Sequence, residues 1–285
     1  MTIVHEQPNI LDMLGKLLSR KSRSRLAVGC VLLLAFICLG VILLADAALR
    51  SYPADQELLR AAYSDPKVTV TQQNAYFKVD AAQPGAQVGM VFYPGGLVSP
   101  ESYLDPVGKM VDSARQQGVN LRVYLVRPPL NLSVLDYAAA EKVISEDSQV
   151  ENWVVGGHSL GGAMACRYAS GSSEGASKVK GLFLLAAYCD TDISVSSKKV
   201  LSIYGSNDQV LNLGLLEQYS KNLPSSSRKK VITGMNHAQF GAYGMQKGDG
   251  PAQISLQTAQ ENWIAEINNW LTEVLTPENL EAQND

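Results

Sequence analysis

Short apolar runs alternate with longer amphipathic segments along this chain, and that alternation constrains its fold more than any other feature. Strands that alternate with helices are typical of βαβ units, so we predict an α/β fold with a mostly parallel, doubly wound sheet. The eight predicted strands are Val68–Thr71, Ala75–Val79, Val88–Tyr93, Leu121–Val126, Trp153–Gly156, Gly181–Tyr188, Val200–Tyr204 and Lys230–Thr233.

Five segments between these runs have helical spacing. We predict helices near Glu101–Gln117, Ser133–Asp147, Leu160–Ser170, Asn212–Asn222 and Ser255–Leu275. One crossover differs from the others, because only Cys189 to Lys199 separate two presumed parallel strands. That stretch is too short for a helix with its turns, so an irregular connection without an inserted lid domain is expected there.

A run of 20 residues from Leu26 to Ala45 carries no charged side chain. Its length matches the roughly 20 residues that cross a hydrocarbon core as a helix. Basic residues cluster just before it, so the positive-inside rule predicts a single-pass membrane protein with a cytoplasmic N-terminus and an extracytoplasmic main domain. The alternative is a secretory signal, cleaved near the small residues Ala45 and Ala47.

Composition fits one well-packed globular domain with an appendage, because 46% of residues are hydrophobic and 18% are charged. We predict a basic cytoplasmic tail over residues 1–25, a transmembrane anchor over 26–48, a linker and first strand over 49–74, the α/β domain over 75–275 and a C-terminal tail over 276–285. The net charge of -3 and a single short basic cluster in the domain argue against nucleic acid as a partner.

The run Gly157-His-Ser-Leu-Gly161 places a serine between a predicted strand and a predicted helix. A G-x-S-x-G motif in this context is typical of a nucleophile elbow, whose sharp turn has little room for β-carbons beside the serine. Ser159 is therefore the candidate nucleophile. The alternative is an ordinary glycine-rich turn with a serine that faces solvent.

A serine nucleophile needs a base within hydrogen-bonding reach, and the chain has three histidines. His5 precedes the apolar run, and the side chain of His158 should point away from that of its neighbour Ser159. His237, just past the last predicted strand, is therefore the predicted base. His158 is interpreted as structural.

The third group must orient the base and stabilise its protonated form. In this architecture the acid lies between serine and histidine along the chain. Asp208 follows the strand before the histidine's own strand, at the sheet edge where ligand sites gather, and it is the preferred candidate. Asp190 and Asp192, after the preceding strand, are its rivals.

Attack on a carbonyl creates an oxyanion that requires preset N–H donors. Leu160, directly after the nucleophile, is expected to supply one donor. Gly96 or Leu97 should supply the other, since both follow strand Val88–Tyr93 and Pro94 has no N–H. The alternative for this second segment is an ordinary Pro-Gly turn.

Two of the four cysteines, Cys166 and Cys189, lie in the main domain without a CxxC spacing. We expect both to be inert core thiols, and the sequence implies no structural disulfide. It also predicts neither a metal nor an organic cofactor.

Four segments together resemble a known family: Tyr93-Pro-Gly-Gly-Leu-Val98, Gly156-Gly-His-Ser-Leu-Gly-Gly-Ala163, Tyr204-Gly-Ser-Asn-Asp208 and Asn236-His-Ala-Gln-Phe-Gly-Ala-Tyr-Gly244. They are similar to those of the compact, lidless α/β-hydrolases near the dienelactone hydrolases, over about Ala75 to Leu271. The resemblance implies an α/β-hydrolase fold, a triad of Ser159, Asp208 and His237, and esterase-like acyl transfer to water. Serine replaces the nucleophilic cysteine of dienelactone hydrolases, so their substrate is not carried over.

The expected function is that of a carboxylesterase-like serine hydrolase acting on a small-molecule acyl substrate. A thioesterase, lipase or peptidase would use the same triad, and the sequence does not separate these possibilities. A membrane-anchored binding module without catalysis is the alternative from a different class, because fold does not fix function.

Overall fold

A computed structural model describes residues 10, 11, 13, 31–40, 49–82 and 85–276. The chain divides into two units, residues 1–50 and 51–285. In the first unit, residues 31–40 are helical and their large apolar side chains are exposed. The remainder of the predicted anchor up to residue 48 lies outside the described residues. None of the helices in the described part of the chain combines the length and the apolar character that a bilayer crossing requires.

The second unit is built on one eight-stranded sheet with the order β1-β2-β4-β3-β5-β6-β7-β8. β2 pairs antiparallel with β1 and β4, and all the other neighbours are parallel, as the alternating pattern predicted. The strands are β1 Val68–Gln72, β2 Tyr76–Ala81, β3 Val88–Tyr93, β4 Leu121–Val126, β5 Asn152–His158, β6 Val179–Leu185, β7 Lys199–Gly205 and β8 Arg228–Ile232.

Seven α-helices accompany the sheet within the described part of this unit. They are α1 Gln56–Ser64, α2 Leu104–Gln116, α3 Ala139–Glu146, α4 Leu160–Ala169, α5 Glu174–Ser177, α6 Leu213–Ser220 and α7 Leu256–Val274. All five predicted helices are present. The first two are shorter than predicted because 3-10 turns, Pro100–Tyr103 and Ser133–Asp136, occupy their starts.

Helices cover both faces of the central strands, and the sheet divides the core into two clusters. On one face Phe92 of β3 belongs to a cluster with Met110 of α2 and Trp270 of α7. On the other face Val91 belongs to a cluster with Cys166 of α4. Strands buried on both faces need apolar residues throughout, which is why β3 appears in the sequence as a continuous apolar run.

Helix α1 lies where the sequence predicted a linker over residues 49–74. The carboxylate of Asp55 accepts the N–H groups of Glu57 and Leu58 and so caps the helix start. Ala62 is its one buried residue. Its nine residues make about two and a half helical turns, a short window in which to recognise a helical period from the sequence.

The connection from β6 to β7, residues 186–198, contains no helix. This agrees with the prediction of an irregular crossover. One consequence is that the sheet face beside β6 and β7 lacks the helix that a parallel crossover usually places over it.

Candidate active site

Ser159 lies at the sharp turn between β5 and α4. Its backbone has φ 53° and ψ -124°, a conformation that non-glycine residues rarely adopt. The N–H of Ser159 donates to the carbonyl of Leu185 on β6 at 2.9 Å, which ties the turn to the neighbouring strand. The motif therefore forms the strand-turn-helix geometry of a nucleophile elbow, with a strained serine at its tip.

Glycines 157 and 161 are required by a neighbouring strand end. A β-carbon on Gly157 would lie 2.2 Å from the carbonyl oxygen of Tyr93, and one on Gly161 would lie 2.3 Å from the same atom. Both distances are far below van der Waals contact. The glycines thus allow the end of β3, which leads into the predicted oxyanion loop, to pass directly against the elbow.

Asp208 and His237 form a buried pair at the carboxyl edge of the sheet. His237 Nδ1 lies 2.7 Å from Asp208 Oδ2, and the two side chains are 1% and 0% exposed. The other carboxylate oxygen accepts the N–H groups of Val210 at 2.9 Å and Leu211 at 2.8 Å. These two bonds fix the carboxylate, and a carboxylate on Nδ1 leaves Nε2 as the proton acceptor of the ring.

Asp190 and Asp192 do not contact His237. Asp190 pairs with Arg167, and Asp192 accepts the N–H of Ser194. Of the three aspartates that the sequence offered as partners of the base, the structure therefore brings only Asp208 to His237.

Ser159 and His237 line one cavity of about 270 Å³, with Leu211 and Asn212 opposite. His237 Nε2 is buried and makes no hydrogen bond to any described residue. Within the described residues, this nitrogen therefore makes no hydrogen bond to the hydroxyl of Ser159. Such bonds are often long before substrate binds, so the geometry is compatible with proton transfer from Ser159 to His237.

Asp249 holds the loop that carries His237. Its carboxylate accepts the backbone N–H groups of His237 at 3.2 Å and Ala238 at 2.9 Å, and also the N–H of Gln209 at 3.4 Å. It therefore joins the histidine loop to the loop of Asp208. Its position in a glycine-rich loop gave no sequence signal for this role.

Two of the three predicted oxyanion donors remain available. The N–H of Leu97 donates to the carbonyl of Asn131 at 2.8 Å and is already engaged. Gly96 lies against Leu160, since a β-carbon on it would be 3.0 Å from Leu160 Cδ2. The structure thus removes Leu97 from the set and places Gly96 beside Leu160, the first residue of α4.

Tyr103 and His158 connect the oxyanion loop to the predicted base. The Tyr103 hydroxyl accepts the N–H of Gly95 at 3.0 Å and lies 2.9 Å from His158 Nδ1. The Tyr103 hydroxyl can donate its proton to Nδ1 while it accepts the N–H of Gly95. The His158 ring packs on the ring of His237, with 4.5 Å between centroids.

Burial, and after it the charge of His237, lowers the pKa of His158 well below its usual 6.5. His158 is thus neutral at physiological pH, which suits a residue in contact with a base that gains a proton. The sequence identified it as structural but gave no sign of its partner, because Tyr103 lies 55 positions away.

Cys166 and Cys189 are joined by a disulfide, contrary to the expectation of free thiols. Their Cα atoms are 5.6 Å apart, within the usual range for a disulfide. The bond links α4, the helix that begins directly after Ser159 in the chain, to the start of the irregular crossover. A separation of 23 residues without a recognised motif gave no basis for pairing them in advance.

Metal-ligating side chains do not cluster in the described residues, where no group of three or more His, Cys, Asp or Glu is placed to hold an ion.

Comparison with known proteins places this geometry in a family. A model described as the alpha/beta hydrolase family matches residues 89–261. No curated protein matches the sequence.

Solved structures share the fold at low sequence identity. Carboxyl esterase 2 from Tuber melanosporum is 12% identical with a TM-score of 0.54, over 79% of this chain and 92% of that one. An esterase from Pseudomonas putida is 14% identical with a TM-score of 0.53, over 81% and 89%. Dienelactone hydrolase from Anabaena variabilis is 14% identical with a TM-score of 0.50, over 73% and 98%. At these identities the likeness shows the fold.

Proposed function

Because this chain belongs to the alpha/beta hydrolase family, we propose that it is a serine hydrolase that cleaves an ester through an acyl-enzyme on Ser159. The observation that carries the proposal is the buried pair of Asp208 and His237, whose histidine lines the same cavity as the strained serine. Two of the solved structures with this fold are named as esterases, which favours ester bonds among the acyl bonds that the triad attacks.

In the proposed reaction, His237 Nε2 takes the hydroxyl proton of Ser159 while Oγ forms a bond to the substrate carbonyl carbon. The negative oxygen of the tetrahedral intermediate accepts the N–H groups of Leu160 and Gly96. Protonated His237, held by Asp208, then gives its proton to the departing alcohol as the ester bond breaks. Water, deprotonated by His237, then attacks the acyl-enzyme, and His237 returns that proton to Ser159 Oγ as the bond to the acyl carbon breaks and the acid is released.

A fluorophosphonate probe tests this function directly, since it bonds to an activated serine. The detergent-solubilised full chain should be labelled, and Ser159→Ala should not. Hydrolysis of p-nitrophenyl acetate should fall on the order of 10⁴-fold or more in Ser159→Ala. Ser197→Ala, at an exposed position of the β6–β7 crossover, is the matched control and should retain both signals.

Equal labelling of Ser159→Ala would rule out Ser159 as the nucleophile. Absence of labelling in the unmodified chain would favour the binding-module alternative. If thioesters or peptides reacted much faster than esters, the thioesterase or peptidase alternative would replace the esterase.

We further propose that residues 26–48 anchor the protein in a membrane, with the catalytic domain outside the cytoplasm. The uncharged run Leu26 to Ala45 and the basic residues before it support this topology. The Cys166–Cys189 disulfide is also consistent with it, since such bonds persist in oxidising compartments.

Protease protection of tagged ends tests the topology, because only the C-terminal tag should be digested from outside. Digestion of an N-terminal tag from outside would contradict the orientation. Release of a soluble form that lacks the first 45 or so residues would support the cleaved-signal alternative.

A further inference from the structure

A second cavity, of about 500 Å³, adjoins the candidate active site. It lies where the β6–β7 crossover lacks a helix, so the sheet residues Leu184 and Ser202 form part of its lining. Helix α6 borders it but buries only Leu216. The missing crossover helix thus leaves an open volume against the sheet.

Ala187 and Tyr188 line both this cavity and the one that contains Ser159 and His237. The Tyr188 ring stacks on Tyr219 of α6, with 5.4 Å between centroids and 21° between planes. The two cavities are therefore adjacent, and Ala187 and Tyr188 form the boundary that a long molecule bonded to Ser159 would pass. Near these shared residues the lining is apolar.

Deeper in the second cavity, Ser202 offers an unused polar group. It is 5% exposed, lines the cavity, and makes no side-chain hydrogen bond to any described residue. Its hydroxyl is accessible from the cavity, so it is a hydrogen-bonding group that a polar atom of a ligand in the cavity would meet.

The charged residues that line this cavity are all basic. Lys221 and Lys229 line it together with Arg228, and no carboxylate residue does. The guanidinium of Arg228 is paired with Glu266 and Glu273, while the ammonium of Lys229 is 3.7 Å from the exposed Glu217. Both lysines are exposed, and each has an acidic neighbour, Glu217 for Lys229 and Asp192 for Lys221. An ammonium group has three donors, so each lysine keeps donors for an anionic group at the far end of a ligand.

We propose that this cavity is a second subsite, which receives the far end of an elongated ester whose acyl chain is apolar along its length and ends in a carboxylate. In this arrangement the ester carbon lies at Ser159, the chain passes Ala187 and Tyr188, and the carboxylate meets Ser202 and the lysines. The proposal rests on the proposed hydrolase function and names its substrate class, a monoester of a dicarboxylic acid.

Three p-nitrophenyl esters test it on the detergent-solubilised full chain: the acetate, the octanoate and the monoester of octanedioate. We expect kcat/KM to increase in that order, with at least a tenfold difference between acetate and octanedioate. Ser202→Ala should lower kcat/KM for the octanedioate ester by about 3- to 10-fold, through KM, because one buried hydrogen bond is lost. The acetate should be unaffected.

Ser220→Trp gives a second test that does not alter the buried strand. Ser220 is an exposed residue of α6 that lines the cavity, and a large ring there should occupy it. This variant should lose the preference for the octanedioate ester and still hydrolyse acetate. Ser197 is exposed on the β6–β7 crossover and lies outside the cavity, so Ser197→Ala should behave like the unmodified protein with all three esters.

An equal rate for acetate and octanedioate, a preference for octanoate over octanedioate, or equal losses for all three esters in both variants would overturn the subsite. A failure of the hydrolase function shows itself separately, as absence of fluorophosphonate labelling. In that case calorimetry of free octanedioate with the Ser159→Ala variant still decides. Binding that is lost when Ser220→Trp is added supports the subsite, and absence of binding contradicts it.

Discussion

Ser159 and His237 line the same cavity, but different forces hold them in position. The serine turn is fixed by steric packing, because the end of β3 presses against Gly157 and Gly161 and leaves no room for a β-carbon. The histidine is fixed by the hydrogen bonds that it donates to Asp208 and Asp249. Steric packing of backbone fails abruptly when a single atom is added, whereas a hydrogen-bonded loop can lose one bond and keep its shape. The two halves of the site should therefore respond differently to substitution.

The largest effect is expected from Asp208→Asn, which attacks the hydrogen-bonded half. The amide oxygen can still accept the N–H groups of Val210 and Leu211, so the loop should keep its shape. The amide cannot stabilise protonated His237, and we expect kcat to fall about 10⁴-fold with the free energy of unfolding little changed. Steady-state kinetics and urea denaturation measure the two quantities, and a large loss of stability would contradict the comparison.

Gly161→Ala perturbs the sterically packed half of the site and should lower both the stability of the fold and the activity. Its β-carbon would meet the carbonyl oxygens of Tyr93 and Pro94 at 2.3 Å, so the backbone must move. We expect a loss of about 3 kcal/mol in the free energy of unfolding, at the upper end for overpacking.

Gly108→Ala is the matched control for that variant. Gly108 lies within α2, where the nearest atom to an added β-carbon is Val68 Cγ2 at 3.5 Å. Alanine there should raise stability by about 0.5 to 1 kcal/mol, since it is the better helix former. If Gly161→Ala were as well tolerated in urea denaturation, packing of β3 would not be what fixes the elbow.

Asp249→Ala removes one support of the histidine loop and leaves the Asp208–His237 bond in place. Several backbone N–H groups, those of His237 and Ala238 among them, lose their acceptor. We expect stability to fall by about 1 to 3 kcal/mol, the cost of unpaired donors. We expect kcat/KM to fall by about tenfold as the ring becomes less well placed. A loss of activity as large as that of Asp208→Asn would instead assign Asp249 a direct part in catalysis.

The smallest effect is a pH dependence that arises from His158, where the two halves touch. The pKa of this ring is lowered in the folded protein, so below its usual 6.5 the unfolded chain binds a proton that the folded one does not. Its contribution to stability is therefore complete above pH 6.5 and decreases as the pH falls below that value. The decrease is at most about 1.4 kcal/mol per pH unit for one proton.

His158→Asn tests that dependence, because the amide oxygen can still accept a proton from Tyr103. The free energy of unfolding of this variant should fall less between pH 8 and pH 5 than that of the unmodified protein. Carboxylates with lowered pKa values, such as Asp112 and Asp147, also weaken the fold in acid, but equally in both proteins. Parallel stability curves for the two proteins would contradict a neutral, buried His158.

Much of the fold could be predicted because its signals are local. β3 and β4 were predicted with their observed bounds, since strands buried on both faces are rich in apolar residues, and Arg122 is the one charged residue in these two strands. Helix α1 was not predicted, because its nine residues cover few turns and the stretch was assigned to a linker. The short β6–β7 crossover was recognised from its length alone, but the cavity beside it depends on what the missing helix would have covered.

The catalytic hypothesis also came from local signals, and its supporting residues did not. Ser159 has a motif of adjacent residues, and His237 was selected because the chain has few histidines. Tyr103, Asp249 and the Cys166–Cys189 bond have no such signal. Each of them contacts residues that are distant from it along the chain or that a loop separates from it.

The sequence by itself determined the strands, the five longer helical segments and the glycines of the elbow, along with candidate residues for a triad. These features depend on spacing along the chain, which an amino-acid pattern records. Only the tertiary structure decided that Asp208 rather than Asp190 meets His237, and that Leu97 is already engaged. It also showed that Tyr103 bonds to His158. Those outcomes depend on which atoms meet across the sheet edge, and contact between distant segments leaves no pattern in a single sequence.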